Sequence, residues 1–130
     1  MEETRFAAGN VTFAVRELHT GRGDGVSVDI LAGEADKQVS VIRLDWFPDC
    51  PHYHYNPRTE KNQEIPLDPA LVGDSIDWFL GRIPDRLADM VRSAGHPGVA
   101  GAIDPGEVAR AMPGVKDAAA RARRECGAVE

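Results

Sequence analysis

Residues 11–30, Val11-Thr-Phe-Ala-Val-Arg-Glu-Leu-His-Thr-Gly-Arg-Gly-Asp-Gly-Val-Ser-Val-Asp-Ile30, decide the fold. Val11, Phe13 and Val15 recur at every second position, the period that a half-buried strand requires. Val26, Val28 and Ile30 repeat that period. Between the runs stand Gly21, Gly23 and Gly25, residues able to take the positive φ of a turn. Two alternating runs joined in this way predict an antiparallel hairpin. In that setting Arg22-Gly23-Asp24 reads as part of a turn rather than as an adhesion tripeptide.

Working outward, residues 33–36 form the next turn and residues 37–46 a third strand. Strict alternation puts Ser40, Ile42, Leu44 and Trp46 on one face of it and Val39, Val41 and Arg43 on the other. A short fourth strand covers His52–Tyr55. Pro57, Pro66 and Pro69 mark residues 57–73 as loop. Beyond them the period changes to 3–4: Ile76, Phe79, Leu80, Ile83, Leu87 and Val91 trace one buried helix face. Asp74 is its N-cap, Gly95 its stop, and Pro84 predicts a kink. A second helical run opens at Asp104-Pro-Gly-Glu107, a capping pattern with proline where its missing N–H is harmless. Pro113-Gly114 predicts a break in that run. The expectation is an α+β fold, with an antiparallel sheet of three to four strands from the N-terminal half packed on two to three helices from the C-terminal half. It is one domain over residues 1–130, strand-rich to 56, loop over 57–73 and helical over 74–127.

The chain has 130 residues, 42% of them hydrophobic and 28% charged, a globular composition. Its formal net charge of −6 argues against a nucleic-acid binder, which gains affinity by displacing counterions with Lys and Arg. No apolar run approaches the roughly 18 residues needed to span a bilayer. The N-terminal residues show no basic and apolar leader pattern, so a cytoplasmic location is expected. Cys50 and Cys126 belong to no CxxC pair and are expected to be reduced thiols.

The chemistry concentrates in Leu44-Asp-Trp-Phe-Pro-Asp-Cys-Pro-His-Tyr-His-Tyr55. On an extended strand His52 and His54 share one face and lie about 7 Å apart, close enough for both to reach one divalent metal ion. A catalytic metal site needs a further protein ligand. Glu60, Glu64, Asp49, Cys50, His19 and His96 are the candidates, with Glu60 the assigned though weak choice. Asp45, Trp46, Asp49, Tyr53 and Tyr55 are the candidate ligand-binding residues around the pair, and Trp78 and Phe79 could close the pocket. Without metal, one histidine oriented by Asp45 or Asp49 would act as acid or base. The plainer alternative is amphipathic rings packed at a core margin with their polar tips in water.

A His-x-His pair also opens the first cupin motif, where a glutamate follows four or five positions on. Here Glu60 lies six positions on, Trp46 and Leu67 stand where that motif has glycine, and the strands are too few for the barrel. The sequence therefore describes a small acidic protein with a His/aromatic site for a ligand or a divalent metal around residues 45–60. The alternative is an interaction module, self-associating or an accessory subunit, that uses the stripe Val115, Ala119, Ala122 and Cys126 to pack on a partner helix.

Overall fold

The computed structural model describes residues 3–33 and 36–127. Of the turn expected over 33–36, residues 34 and 35 lie outside the described residues. Six strands form one sheet: β1 (Thr4–Ala8), β2 (Val11–Thr20), β3 (Gly23–Ala32), β4 (Val39–Trp46), β5 (His52–Tyr55) and β6 (Gln63–Pro66). They follow one another across the sheet in chain order, and every neighbouring pair is antiparallel. Four helices follow: α1 (Pro69–Val72), α2 (Ser75–Ser93), α3 (Pro97–Gly101) and α4 (Pro105–Glu125). The α+β class and the antiparallel sheet stand. Among the described residues the sheet has six strands rather than three to four, and the helices number four rather than two to three.

The two extra strands are the edges. Thr4, Arg5 and Ala7 of β1 are exposed, so little hydrophobic alternation marks it. β6 falls inside the expected loop, which also holds α1. It is four residues long and ends on Pro66, which an edge strand tolerates because one side of its ladder is unpaired.

α2 and α4 cover one face of the sheet, α4 lying across β1, β2 and β3 and α2 against β4. Phe13, Val28, Ile30, Leu44, Leu80 and Ile83 meet there, each fully buried. Burying a side chain of this size contributes about 1.5–3 kcal/mol, so this layer supplies most of the driving force. One detail departs from strict alternation. Ile30 pairs with Ile42 but Leu31 pairs with Ser40, so Val41 is an extra, unpaired residue. This bulge sends Ser40 to the opposite face from Ile42, where its hydroxyl donates to Asp29, and lets Val41 join the core.

Asp74 and Asp104 cap α2 and α4 as expected, accepting from the amides of Asp77 and of Gly106 and Glu107. Pro84 and Pro113 both lie inside continuous helices. Pro113-Gly114 therefore does not end a helix. Gly114 faces the Phe6 ring of β1 so closely that a Cβ there would meet the ring edge, so tertiary packing sets this position rather than helix propensity. Among the described residues no helix is long and apolar enough to cross a membrane.

Candidate functional site

The face of the sheet away from the helices carries polar residues in cross-strand rows. Arg16, Ser27, Asp45 and His52 form one row across β2 to β5, and Asp29, Arg43, His54 and Glu64 form the next across β3 to β6. Alternation along each strand places these side chains opposite the core. Ser27, Asp29, Asp45, His52 and His54 are nonetheless buried. The Ser27 hydroxyl has no hydrogen-bond partner among the described residues, whereas the partners of the other four define the site.

Asp45, His52 and His54 each offer one ligand atom, and these atoms lie within 4.8 Å of one another. His54 Nε2 is 3.3 Å and His52 Nε2 3.6 Å from Asp45 Oδ2. Glu64 Oε1 stands 3.9 Å from His52 Nε2 and 4.0 Å from His54 Nε2. The other ring nitrogens are engaged: His52 Nδ1 donates to the Cys50 carbonyl and His54 Nδ1 to Asn62 Oδ1, both over 2.8 Å. A carbonyl oxygen only accepts, so each Nδ1 carries a hydrogen, and a ring in its neutral form turns an Nε2 lone pair toward Asp45. Arg22, from the β2–β3 turn, points Nη1 at His52 Nε2 over 3.3 Å and approaches both Glu64 oxygens at 3.5 Å. Arg43 grips Asp45 with two bonds, Nε to Oδ1 at 2.9 Å and Nη2 to Oδ2 at 3.0 Å.

The cluster forms one wall of a cleft of about 460 Å³ that Arg16, Leu18, Arg22 and Phe47 also line. Burial pushes the Glu64 carboxyl up, but His52, Arg22 and His54 outweigh it and hold the group below its ordinary value. Asp29 is the reverse case: burial raises its carboxyl above the usual range against the pull of Ser40 and Arg58. Burial and then the Asp49 charge push the Cys50 thiol up, away from the thiolate a nucleophile needs.

The residues chosen from the sequence separate into two groups. His52, His54 and Asp45 come together, with Glu64 beside them. Tyr53 and Tyr55 point to the helix side of β5, where Tyr53 packs on Phe79 with centroids 5.4 Å apart. With Trp78 they line a second, apolar cleft of about 320 Å³, so Trp78 and Phe79 do not close over the histidines. Burial lifts the Tyr55 hydroxyl to about 12. Trp46 also lies on the helix side, under the Arg123 guanidinium at 4.3 Å. Asp49 is exposed in the β4–β5 turn, and Glu60 is exposed beside Asn56 and Lys61. His19 pairs with Asp24 and Glu17, and His96 with Asn56. Cys50 offers its carbonyl, not its thiol, and neither cysteine is bonded to another. Arg16 and Asn62 went unread; a pairing of His54 with Glu64 across the turn would have pointed to Asn62 within it.

Among curated proteins and among solved structures, nothing matches the chain. One family model does, over residues 5–119, a span that takes in every strand, the whole histidine cluster and most of α4. The chain belongs to the family described as a domain of unknown function, DUF7700.

Proposed function

We propose that this protein binds one divalent transition-metal ion through Asp45, His52 and His54, with Glu64 supplying a further oxygen, and presents the ion to the cleft. The observation that carries this reading is the hydrogen bonding behind the rings. Both Nδ1 hydrogens are held by oxygens, so two Nε2 lone pairs and a carboxylate oxygen converge. Lone pairs facing a carboxylate repel unless something positive sits among them; Arg22 meets the lone pair of His52 and leaves that of His54 facing Asp45. One divalent ion satisfies both rings at once, whereas protons would leave two positive rings with centroids 5.0 Å apart. Oxygen partners behind metal-bound histidines are the usual second layer of such sites.

Two imidazoles and one or two carboxylates suit zinc, iron(II), cobalt or nickel better than calcium or magnesium, which prefer all-oxygen shells. With Asp45, His52, His54 and the Glu64 oxygen as ligands, a five- or six-coordinate ion beside a cleft leaves a position for water or a bound molecule, the arrangement of ions that polarise or activate what they hold. The alternative of an interaction module has less support, because Val115, Ala119 and Ala122 are buried within the protein's own core.

The test is equilibrium dialysis of chelator-stripped protein against zinc, cobalt(II), nickel and, without oxygen, iron(II), followed by elemental analysis. One ion per chain for at least one metal, lost in the His52→Ala/His54→Ala protein, is expected. No stoichiometric binding of any of the four, or equal binding by the double variant, would overturn the reading.

A further inference from the structure

The cleft is electrically unlike the rest of the chain. The protein carries a formal net charge of −6, yet three arginines line this cleft against two carboxylates, Asp45 and Glu64. Arg43 is engaged by Asp45 in a two-bonded pair. Arg22 meets Glu64 and His52 at longer range, and Arg16 is not engaged at all among the described residues. Arg22 is about half exposed, reaches both Glu64 oxygens only at 3.5 Å and points Nη1 at His52 Nε2 over 3.3 Å, so much of its guanidinium still faces the cleft. Arg16 is a half-buried residue whose guanidinium makes no hydrogen bond or ion pair among the described residues; its charge acts on Asp29 from a distance. Holding a guanidinium on a partly buried wall without a partner costs solvation, and a ligand that arrives with an oxyanion restores it.

The dimensions agree. Arg16 and His52 sit in one cross-strand row with Ser27 and Asp45 between them. Three strand spacings put their backbones roughly 14 Å apart. An extended arginine bridges part of that distance, leaving room for a few heavy atoms between its guanidinium and the Nε2 atoms. A cleft of about 460 Å³ lies in the range of small-molecule sites.

From this arrangement we infer that the cleft takes a small oxyanion-bearing molecule, a carboxylate or a phosphate, whose charged group is held by Arg16 and Arg22 while its other end faces Asp45, His52 and His54. The inference rests on the metal reading only for what stands at that other end. A divalent ion there adds positive charge to the same wall and strengthens anion binding further.

The experiment is calorimetric titration of oxalate and, separately, inorganic phosphate into wild-type and Arg16→Met protein, each in zinc-loaded and chelator-stripped form. At least one anion is expected to bind the wild type, more tightly with zinc, and to bind Arg16→Met at least tenfold more weakly. Zinc affinity of Arg16→Met should stay within twofold of wild type, since Arg16 touches no ligand atom. Preference for oxalate or for phosphate distinguishes the two sources of the oxyanion. Binding of neither anion in either form, or equal binding by Arg16→Met, overturns the inference. Should none of zinc, cobalt(II), nickel and iron(II) bind, the metal reading falls alone, and anion binding to the stripped proteins, weakened or unweakened by Arg16→Met, still decides this one.

Discussion

His54 and Asn62 are joined across the β5–β6 turn, Nδ1 of the ring donating to the side-chain oxygen eight residues further along the chain. The bond fixes which nitrogen of His54 carries the hydrogen and which way the ring faces. Asn62 itself is exposed, and its side chain bonds to His54 rather than to Asp45 or His52. Asn62→Leu is therefore expected to weaken metal binding about 10–100-fold, the usual effect of losing a partner behind a ligand. Asn62→Asp, which keeps an acceptor, should recover most of it. Competition against a coloured chelator measures both, and equal affinities in all three proteins would remove Asn62 from the site.

The double variant His52→Ala/His54→Ala separates binding from packing. Both rings are buried, so stripped variant protein is expected to lose about 1–3 kcal/mol against stripped wild type. A metal supplied at a hundred times its dissociation constant should add about 2.7 kcal/mol to wild type and nothing to the variant. Thermal unfolding with metal and with chelator reads the two contributions separately.

Arg22 competes with a metal for His52 Nε2 and Glu64, since its guanidinium already faces both. Arg22→Met is expected to raise metal affinity several-fold while lowering anion affinity. Titrations of zinc and of oxalate on the same preparation check the pair of opposite changes.

Asp74 ties the start of α2 to α4, accepting from the Asp77 amide and from Arg123 at 2.6 Å. Burial pushes its carboxyl up, but the Asp77 amide and Arg123 pull harder and leave it below the ordinary value. A carboxyl lowered on folding stabilises the protein above its unfolded value, and that stability is lost as pH falls through the folded one. Asp74→Ala should cost about 0.5–2 kcal/mol at neutral pH. The gap to wild type should narrow once the pH falls below about 4, near the ordinary aspartate value. Urea unfolding at neutral and acid pH measures both gaps.

Gly25 faces the end of β4 so closely that an added Cβ would strike the Trp46 carbonyl oxygen and the Phe47 ring. Backbone cannot swing aside as a side-chain tip can. Gly25→Ala is expected to lower the melting temperature, with a loss of about 1–3 kcal/mol. Because Phe47 also lines the metal-side cleft, oxalate binding should weaken too.

Hydrophobic period made β2, β3, α2 and α4 readable from the chain, because each buries a full stripe against the others. It missed β1 and β6, where Arg5 and Glu64 stand on exposed edges and pairing, not burial, makes the strand. The histidine pair was legible from its i, i+2 spacing, and Asp45 and Glu64 were both named from sequence. What spacing could not supply was register: only the pairings Asp45 with His52 and His54 with Glu64 select these carboxylates over Asp49 and Glu60. The aromatic cluster misled for a related reason. Adjacency in sequence placed Trp46, Tyr53 and Tyr55 near the histidines, while alternation turned them to the other face.

That alternation in β5 has an effect on errors of assembly. Its four residues read His-Tyr-His-Tyr, with imidazoles toward Asp45 and Arg22 and phenols toward Phe79. A slip of one position against β4 would press both histidines into the hydrocarbon layer and strand the phenols among guanidinium and carboxylate groups. Strands that are polar on both faces or rich in glycine are loosely specified and prone to shift. Here both sides of the strand penalise the same mistake, so the shortest interior strand of the sheet is also one that cannot drift.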